Sequence, residues 1–327
     1  MAAQGGNNEL VTIFGGSGFV GRHAVRALAK KGYRIRGACR RPDLAGFLQP
    51  MGDVGQVQPV QANLRFPDSV RRAVEGAHVV INSVGLLASG GAQTFKAVHV
   101  EGARAAACAA REAGARRFVH ISAIGASATS SARYAQTKAA GEAAVLEAFP
   151  EAIILRPSIV FGPEDQFFNR FAAMARISPL LPLIGGGRTR FQPVYVGDVG
   201  EAVAYVAGGG GTPGTVYELG GPEVLSFREL LERTLEYAGR ERGFISLPFW
   251  LAKLQALLTW PLPNTLRPLT VDQVRLLETD NVVSGAAIKE GRTLAALGVA
   301  SPRSIGAIVP GYLERFKPKG QYSHYRG

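Results

Sequence analysis

Short apolar runs alternate with longer helical patterns through the first two thirds of the chain. Leu10 to Phe14, Tyr33 to Cys39, Val57 to Gln61, Ala77 to Val84, Arg117 to Ser122, Ala152 to Val160 and Val216 to Gly220 read as strands. Arg22 to Lys31, Phe95 to Gly114, Tyr134 to Glu147 and Val199 to Val206 carry helical patterns. Asp198 is expected to cap the last of these helices. Ser226, with Glu229 in the first turn, is expected to cap another over Phe227 to Tyr237. The alternation predicts an α/β fold, with a doubly wound parallel sheet and a smaller C-terminal α/β lobe. The expected domains are residues 1–162, with 191–207 returning to them, and a lobe of 163–190 and 208–327.

The turn after the first strand changes this from a fold prediction to a chemical one. It reads Gly15-Gly16-Ser17-Gly18-Phe19-Val20-Gly21 and leads straight into a helix. Gly15 permits the tight turn, Gly18 lets backbone N–H groups approach a pyrophosphate, and Gly21 lets helix pack on strand. Ser17, Phe19 and Val20 lie where the helix N-terminus offers unpaired donors and a positive dipole end. This is the setting of a dinucleotide site in a Rossmann-type sheet. The second strand ends Cys39-Arg40-Arg41-Pro42, with no carboxylate before Asp43. Arg40 and Arg41 stand where an NAD-specific chain holds the ribose through an acid. A 2′-phosphate is favoured there, so NADP(H) is expected in preference to NAD(H).

Composition narrows the partners. The formal charge of +12 suits an anionic cofactor, an anionic membrane face or an acidic partner. It comes without a zinc knuckle, an RNA-binding aromatic motif or a lysine tract, so no nucleic-acid partner is expected. No metal site is expected. Cys39 and Cys108 give no disulfide framework, which suits a reducing compartment. No signal peptide and no uninterrupted apolar run of about 18 residues are visible. The expected location is cytoplasmic and peripheral at the inner membrane, or on the matrix side in an organelle.

Tyr134 and Lys138 lie four apart on one helical face. Beside a nicotinamide, an ammonium next to a phenol lowers the phenol's pKa and suits it to proton transfer. Ser122, at the end of the fifth strand, is the candidate to polarise a carbonyl oxygen. These are the expected catalytic residues.

The Gly-x-x-Gly-x-x-Gly spacing with Tyr134-x-x-x-Lys138 resembles the atypical and extended short-chain dehydrogenase/reductases of the NAD-dependent epimerase/dehydratase superfamily. Asn63-Leu64 stands where that family has Asp-Leu or Asp-Val beside the adenine. Asn82-Ser83-Val84-Gly85 is similar to the family's strand end over the cofactor, which implicates Val84 and Gly85. Leu155-Arg156-Pro157-Ser158-Ile159-Val160-Phe161-Gly162-Pro163 is similar to its Leu-Arg-Pro-x-x-Val-Tyr-Gly-Pro. The resemblance implies that Pro157 and Ile159 face the nicotinamide carboxamide. Val98 to Gly102 resembles Asn-Val-x-Gly-Thr, with His99 in place of the asparagine.

Phe149 to Ile154, Gly162 to Asp165 and Leu269 to Val274 resemble one subfamily, the short-chain-dehydrogenase-like accessory subunit of respiratory complex I and its bacterial relatives. The subfamily implies a tightly held NADP(H), complex I subunits as partners and a membrane surface near the quinone site. The alternative is a free-standing NADPH-dependent reductase, or a sugar-nucleotide epimerase or dehydratase, using the Tyr-Lys pair on a small carbonyl substrate. A third possibility is a redox-sensing regulator that binds NADP(H) and a protein partner.

Ile245 to Trp260 is the most apolar segment of the second half. Trp250, Leu251, Leu254, Leu257 and Leu258 share one helical arc. Two readings stand: a helix packed on the core of the small lobe, or an interfacial helix. The basic tail, Arg315, Lys317, Lys319 and Arg326, favours the second.

Overall fold

The computed structural model describes residues 9–259, 269–318 and 320. Trp260, Lys319 and Arg326 lie outside the described residues. Among those described, Leu10–Phe14 (β1), Arg34–Cys39 (β2), Val57–Gln61 (β3), Val79–Asn82 (β4), Arg117–Ile121 (β5), Ile153–Pro157 (β6) and Val216–Leu219 (β7) form one seven-stranded sheet. Its order is β7-β6-β5-β4-β1-β2-β3, and every pairing is parallel. All four residues of β4 are buried, as strands covered on both faces require. The order reverses between β1 and β4. A reversal of this kind opens a crevice at the C-terminal strand ends, where ligands of open α/β sheets bind.

Helices flank the sheet: Phe19–Lys30 (α1), Pro67–Val74 (α2), Gly102–Glu112 (α3), Arg133–Ala148 (α4) and Val196–Ala207 (α5). Val70, Ala103, Ala106, Ala110 and Val145 of α2, α3 and α4 pack with Phe14, Val80 and Phe118 of the strands. The small alanines of α3 let its backbone sit close to the sheet. On α5, a Cβ at Gly200 would lie 2.8 Å from the His23 carbonyl oxygen of α1.

Several local expectations are corrected. The helix expected from Val199 starts three residues earlier: α5 begins at Val196, so Asp198 is buried in its first turn, where the helix dipole favours a carboxylate. The sixth strand stops at Pro157, which has no N–H to continue the ladder. Val160–Phe161 pairs separately with Val194–Tyr195. The helix expected from Phe95 opens instead with a π turn, Lys96–Glu101, before α3. Among the described residues no helix is long and apolar enough to cross a membrane.

The chain divides into two compact units. The first is Met1–Pro157, Val196–Leu219 and Ser284–Ala300; the second is Ser158–Tyr195, Gly220–Val283 and Ser301–Gly327. This differs from the sequence boundaries at 162 and 207, because β7 pairs with β6 and so completes the sheet of the first unit. The second unit is built round an aromatic cluster, with Phe161, Phe168, Phe191 and Phe227 buried beside Leu230, Ile305, Val309 and Leu313. Ser226 and Glu229 form the reciprocal cap of Phe227–Tyr237.

Phe168 is fully buried and meets Phe161 and Phe167 edge to face, with centroids 6.0 and 5.2 Å away. Phe168→Ala is expected to cost about 3–5 kcal/mol, read by urea denaturation followed in the near-UV. A loss under about 1 kcal/mol would mean that the cluster collapses onto the gap.

Candidate functional site

The glycine turn closes on itself. Gly15 adopts φ +78°, its N–H donates to the Ala38 carbonyl at 2.9 Å, and Gly18 N–H donates to the Gly15 carbonyl at 2.8 Å. A Cβ at Gly21 would stand 2.1 Å from the Gly15 oxygen, so only glycine lets α1 start here. The helix begins at Phe19, with Gly18 as its N-cap, no capping side chain and no acid in the first turn. Ser17, Gly18, Phe19 and Val20 are all at least partly exposed. This leaves a positive, donor-bearing helix end suited to phosphates. Arg22, which sequence reasoning did not single out, donates to the carbonyls of Ser17 at 3.0 Å and Gly18 at 3.3 Å, and stacks 4.6 Å over the Phe47 ring.

The two arginines after β2 differ. Arg41 Nη2 pairs with Asp43 at 2.7 Å, and that bond holds the Asp43 carboxyl below its usual range. Arg40 is exposed and has no acidic partner among the described residues. Asn63 Oδ1 accepts the Arg65 N–H at 3.1 Å, closing the turn into α2. Leu64 is buried in the core, and a Cβ on Gly102 would lie 2.9 Å from its own Cβ. It therefore offers a ligand backbone rather than side chain. Val84 and Gly85 follow β4, and a Cβ at Gly15 would lie 3.1 Å from Val84 Cγ2. Asn82 fixes this exit: its Oδ1 accepts Val84 N–H at 3.1 Å.

Lys138 is buried, and its Nζ donates to the Ile121 carbonyl at 3.0 Å. Burial lowers its ammonium to about 8, opposed by the charge of Glu142 one turn later. Glu142 takes Arg156 bidentately at 2.8 and 2.5 Å, and Arg156 reaches Glu218 at 3.9 Å. Tyr134 is partly exposed, edge-on to Phe95 and His99 at 6.0 and 5.5 Å. Burial pushes its phenol up to about 12. The depressed phenol expected beside an ammonium is thus not found: Lys138 is anchored on a carbonyl, and desolvation dominates at Tyr134.

Ser122 follows the carbonyl that holds Lys138. Its N–H donates to Leu155 at 2.7 Å, while its Oγ is buried without a hydrogen-bond partner. His120 Nδ1 meets Asn82 Nδ2 at 3.3 Å, which leaves the proton on Nε2, also buried and unpartnered. Two orphaned polar atoms at one strand end are a place for a ligand's polar groups.

His99, on the π turn, acts as a clamp. Its Nε2 accepts Leu86 N–H at 3.0 Å, so Nδ1 carries the proton and donates to Thr137 Oγ1 at 3.1 Å. Thr137 in turn donates to the Tyr134 carbonyl at 3.0 Å. Burial, then the Lys138 charge, lowers the His99 pKa to about 3, so it stays neutral and positions rather than relays. Pro157 ends the first unit, buried, with its carbonyl taken by Ile124 N–H at 3.0 Å. Ile159 belongs to the second unit, half-buried, with its carbonyl accepting from Val194 N–H at 2.9 Å.

Sequence reasoning missed His120, Glu142 and the pairing role of Arg156. The available signals were the helical spacing of Glu142 from Lys138 and the place of Arg156 before Pro157.

The profile of the NAD dependent epimerase/dehydratase family matches residues 11–220. NADH dehydrogenase [ubiquinone] 1 alpha subcomplex subunit 9 of Arabidopsis thaliana mitochondria is 38% identical over 291 residues, 86% of this chain and 72% of the relative. Ceramide reductase of Caulobacter vibrioides is 41% identical over 189 residues, 58% of each chain. The solved NADPH-dependent quinone oxidoreductase QOR2 of Escherichia coli, complexed with NADPH, superimposes with a TM-score of 0.71 at 18% identity, covering 93% of this chain and 99% of its own.

The Lys138 shift has a testable sign. Its folded pKa of about 8 lies below the ordinary 10.5, so the ammonium's burial penalty is full below pH 8 and vanishes above pH 10.5. Stability should rise across that window. Lys138→Met should flatten the rise and add up to about 3 kcal/mol at neutral pH, less the lost hydrogen bond. Urea denaturation from pH 7 to 10.5 checks this, and an unchanged slope in the variant would refute it.

Proposed function

The chain belongs to the NAD dependent epimerase/dehydratase family, and from that premise we propose that it holds NADP(H) as an accessory subunit of a respiratory NADH:quinone oxidoreductase. The observation that carries the subunit reading is the 38% identity to the alpha subcomplex subunit over most of both chains. In this reading the protein is peripheral at the inner membrane, on the cytoplasmic or matrix side, beside complex I subunits near the quinone site.

The first unit fits the nucleotide in its own residues. The open N-terminus of α1, from Ser17 to Val20, takes the pyrophosphate. Arg40 takes the 2′-phosphate, while Arg41 must first release Asp43 to help. Asn63 Oδ1 has a second lone pair for the adenine amino group. Gly85 and Val84 lie against the ribose and nicotinamide, with Lys138 donating to ribose hydroxyls. Ser122 Oγ and His120 Nε2, both without a partner of their own, supply polar groups for the nicotinamide end.

A second reading rests on the unpartnered Ser122 Oγ and the likeness to a ceramide reductase. The site then reduces a lipid-like carbonyl. A nicotinamide cofactor, held through the glycine turn, Arg40 and Lys138, would supply the hydride for the carbonyl carbon. Ser122 donates a hydrogen bond to the carbonyl oxygen, Tyr134 delivers the phenolic proton to that oxygen, and Lys138 stabilises the phenolate left behind.

Titration calorimetry separates the cofactors. NADP(H) should bind at least about tenfold tighter than NAD(H), and Arg40→Ala should cost about 1.5–3 kcal/mol for NADP(H) only. Equal affinities would overturn the phosphate assignment. Tyr134→Phe should leave binding almost unchanged and abolish NADPH-dependent carbonyl reduction; undiminished turnover would refute its role. For the subunit reading, affinity capture from native membranes should recover named complex I subunits with the nucleotide bound. Their absence at low salt would favour the free reductase.

A further inference from the structure

We propose that the second unit carries a site for an anionic phospholipid of a bilayer surface, with its phosphate on Arg188 and Arg228 and its acyl chain along the helix Phe249–Leu258. That helix is packed inside out. Its buried face carries Ala252 at 3% and Ala256 at 4% exposure, with Ala252 packed against Ile184 and Val274 and Phe249 half-buried beside them. Four of its large side chains face outward: Trp250 is 68% exposed, Leu254 45%, Leu257 61% and Leu258 72%. A helix adapted to water buries its leucines, so this face is built for an apolar medium.

Beside it lies a cationic pocket of about 380 Å³, lined by Gly186, Gly187, Arg188, Arg190, Ser226 and Arg228. Arg188 is exposed and has no acidic partner among the described residues. Arg190 and Arg228 hold Asp280 at 2.7 Å and Glu232 at 2.8 Å, with both guanidiniums more than half exposed. Exposed pairs of this kind are weak and exchange readily for a phosphate. Glu229 also borders the pocket, but its carboxylate is bonded to Ser226 N and Oγ, both at 2.7 Å. The helix end is therefore closed by its own cap, and an anion is left to the guanidiniums.

The pocket lies next to the start of this helix. Gly185 packs so closely on Phe249, the residue before Trp250, that a Cβ there would lie 2.2 Å from the ring. Arg228 sits 5.8 Å over the ring of Phe244, on the strand Gly243–Leu247 that leads into the helix. A free anion would not use the leucines, and a neutral lipid would not use the arginines. An anionic lipid uses both, and an exposed tryptophan on an apolar helix face suits the bilayer interface.

This site extends the membrane placement proposed above and uses none of the nucleotide-binding residues. The test is sedimentation of the full chain with vesicles of phosphatidylcholine, alone or mixed with phosphatidylglycerol. Wild type should bind the mixed vesicles at least about tenfold tighter. Arg188→Ala/Arg228→Ala should lose about thirtyfold on mixed vesicles and nothing on phosphatidylcholine. Leu254→Glu/Leu257→Glu should abolish binding to both. In a Trp260→Phe background Trp250 is the one tryptophan left of two, and its emission should shift to the blue with mixed vesicles. Near-UV circular dichroism checks that each variant is folded. Equal binding to the two vesicle types, an unaffected arginine variant, or Trp250 covered by a captured protein without vesicle binding would overturn the proposal. Loss of NADP(H) affinity with vesicle binding intact would sink the nucleotide reading alone.

Discussion

The contact between Gly21 and the Gly15 carbonyl is the constraint on which the nucleotide site depends. With no side chain at position 21, α1 begins as soon as β1 ends. Its positive end therefore points into the crevice opened by the reversal of strand order between β1 and β4. Any larger residue would push the helix off the turn, since a Cβ would meet the oxygen at 2.1 Å. The same closeness sets Ser83 and Val84 of the neighbouring strand exit against Gly15. One missing methyl group thus fixes the helix start and its closeness to the β4 exit together, the two features to which the proposed reading gives the pyrophosphate and the ribose.

The site's second constraint is a buried charge. An ammonium away from water is costly unless it is paired and hydrogen-bonded. Lys138 meets this with the Ile121 carbonyl and the charge of Glu142, and Glu142 is itself balanced by Arg156. The relay ends at Glu218, whose Oε2 accepts Ser284 N–H at 2.7 Å. The Leu-Arg-Pro segment therefore has a role beyond its proline: its arginine holds Glu142 in place, and the charge of Glu142 opposes the burial penalty on the Lys138 ammonium. His99 adds a neutral brace from the strand exit to the backbone of Tyr134.

Local patterns were legible where local physics decides them. β1 and β3 fall on the apolar runs that announced them, and the Ser226 cap with Glu229 forms as spacing required. The glycine spacing located the tight turn and the helix start for the same reason: they are adjacent in sequence. What escaped depends on contacts and burial that spacing does not encode. The fate of Arg41 turned on Asp43 bending back, and the phenol of Tyr134 responded to burial that no spacing encodes. Asp198 carries the signature of a cap yet sits inside α5, because the helix runs further toward its N-terminus than its apolar pattern does. The helix Phe249–Leu258 is apolar nearly all round, so its wheel could not say which face the protein would use. The structure uses the alanines.

The resting protonation states bear on the direction of any chemistry here. A phenol held at about 12 is fully protonated at neutral pH and is a poor base. Lys138, at about 8, is still mostly an ammonium there. The pair therefore stands loaded with protons, which suits giving one to an oxygen that gains negative charge as a carbonyl is reduced. The reverse reaction would first have to strip a proton from a desolvated phenol. In the nucleotide complex proposed above, phosphate charge would lie toward the far end of the crevice and ribose hydroxyls at Lys138, with less water around Tyr134. The first two effects would favour the ammonium, and the third would keep the phenol neutral. On that reading the site keeps its proton-donating form whether the protein turns over a carbonyl or only retains its nucleotide.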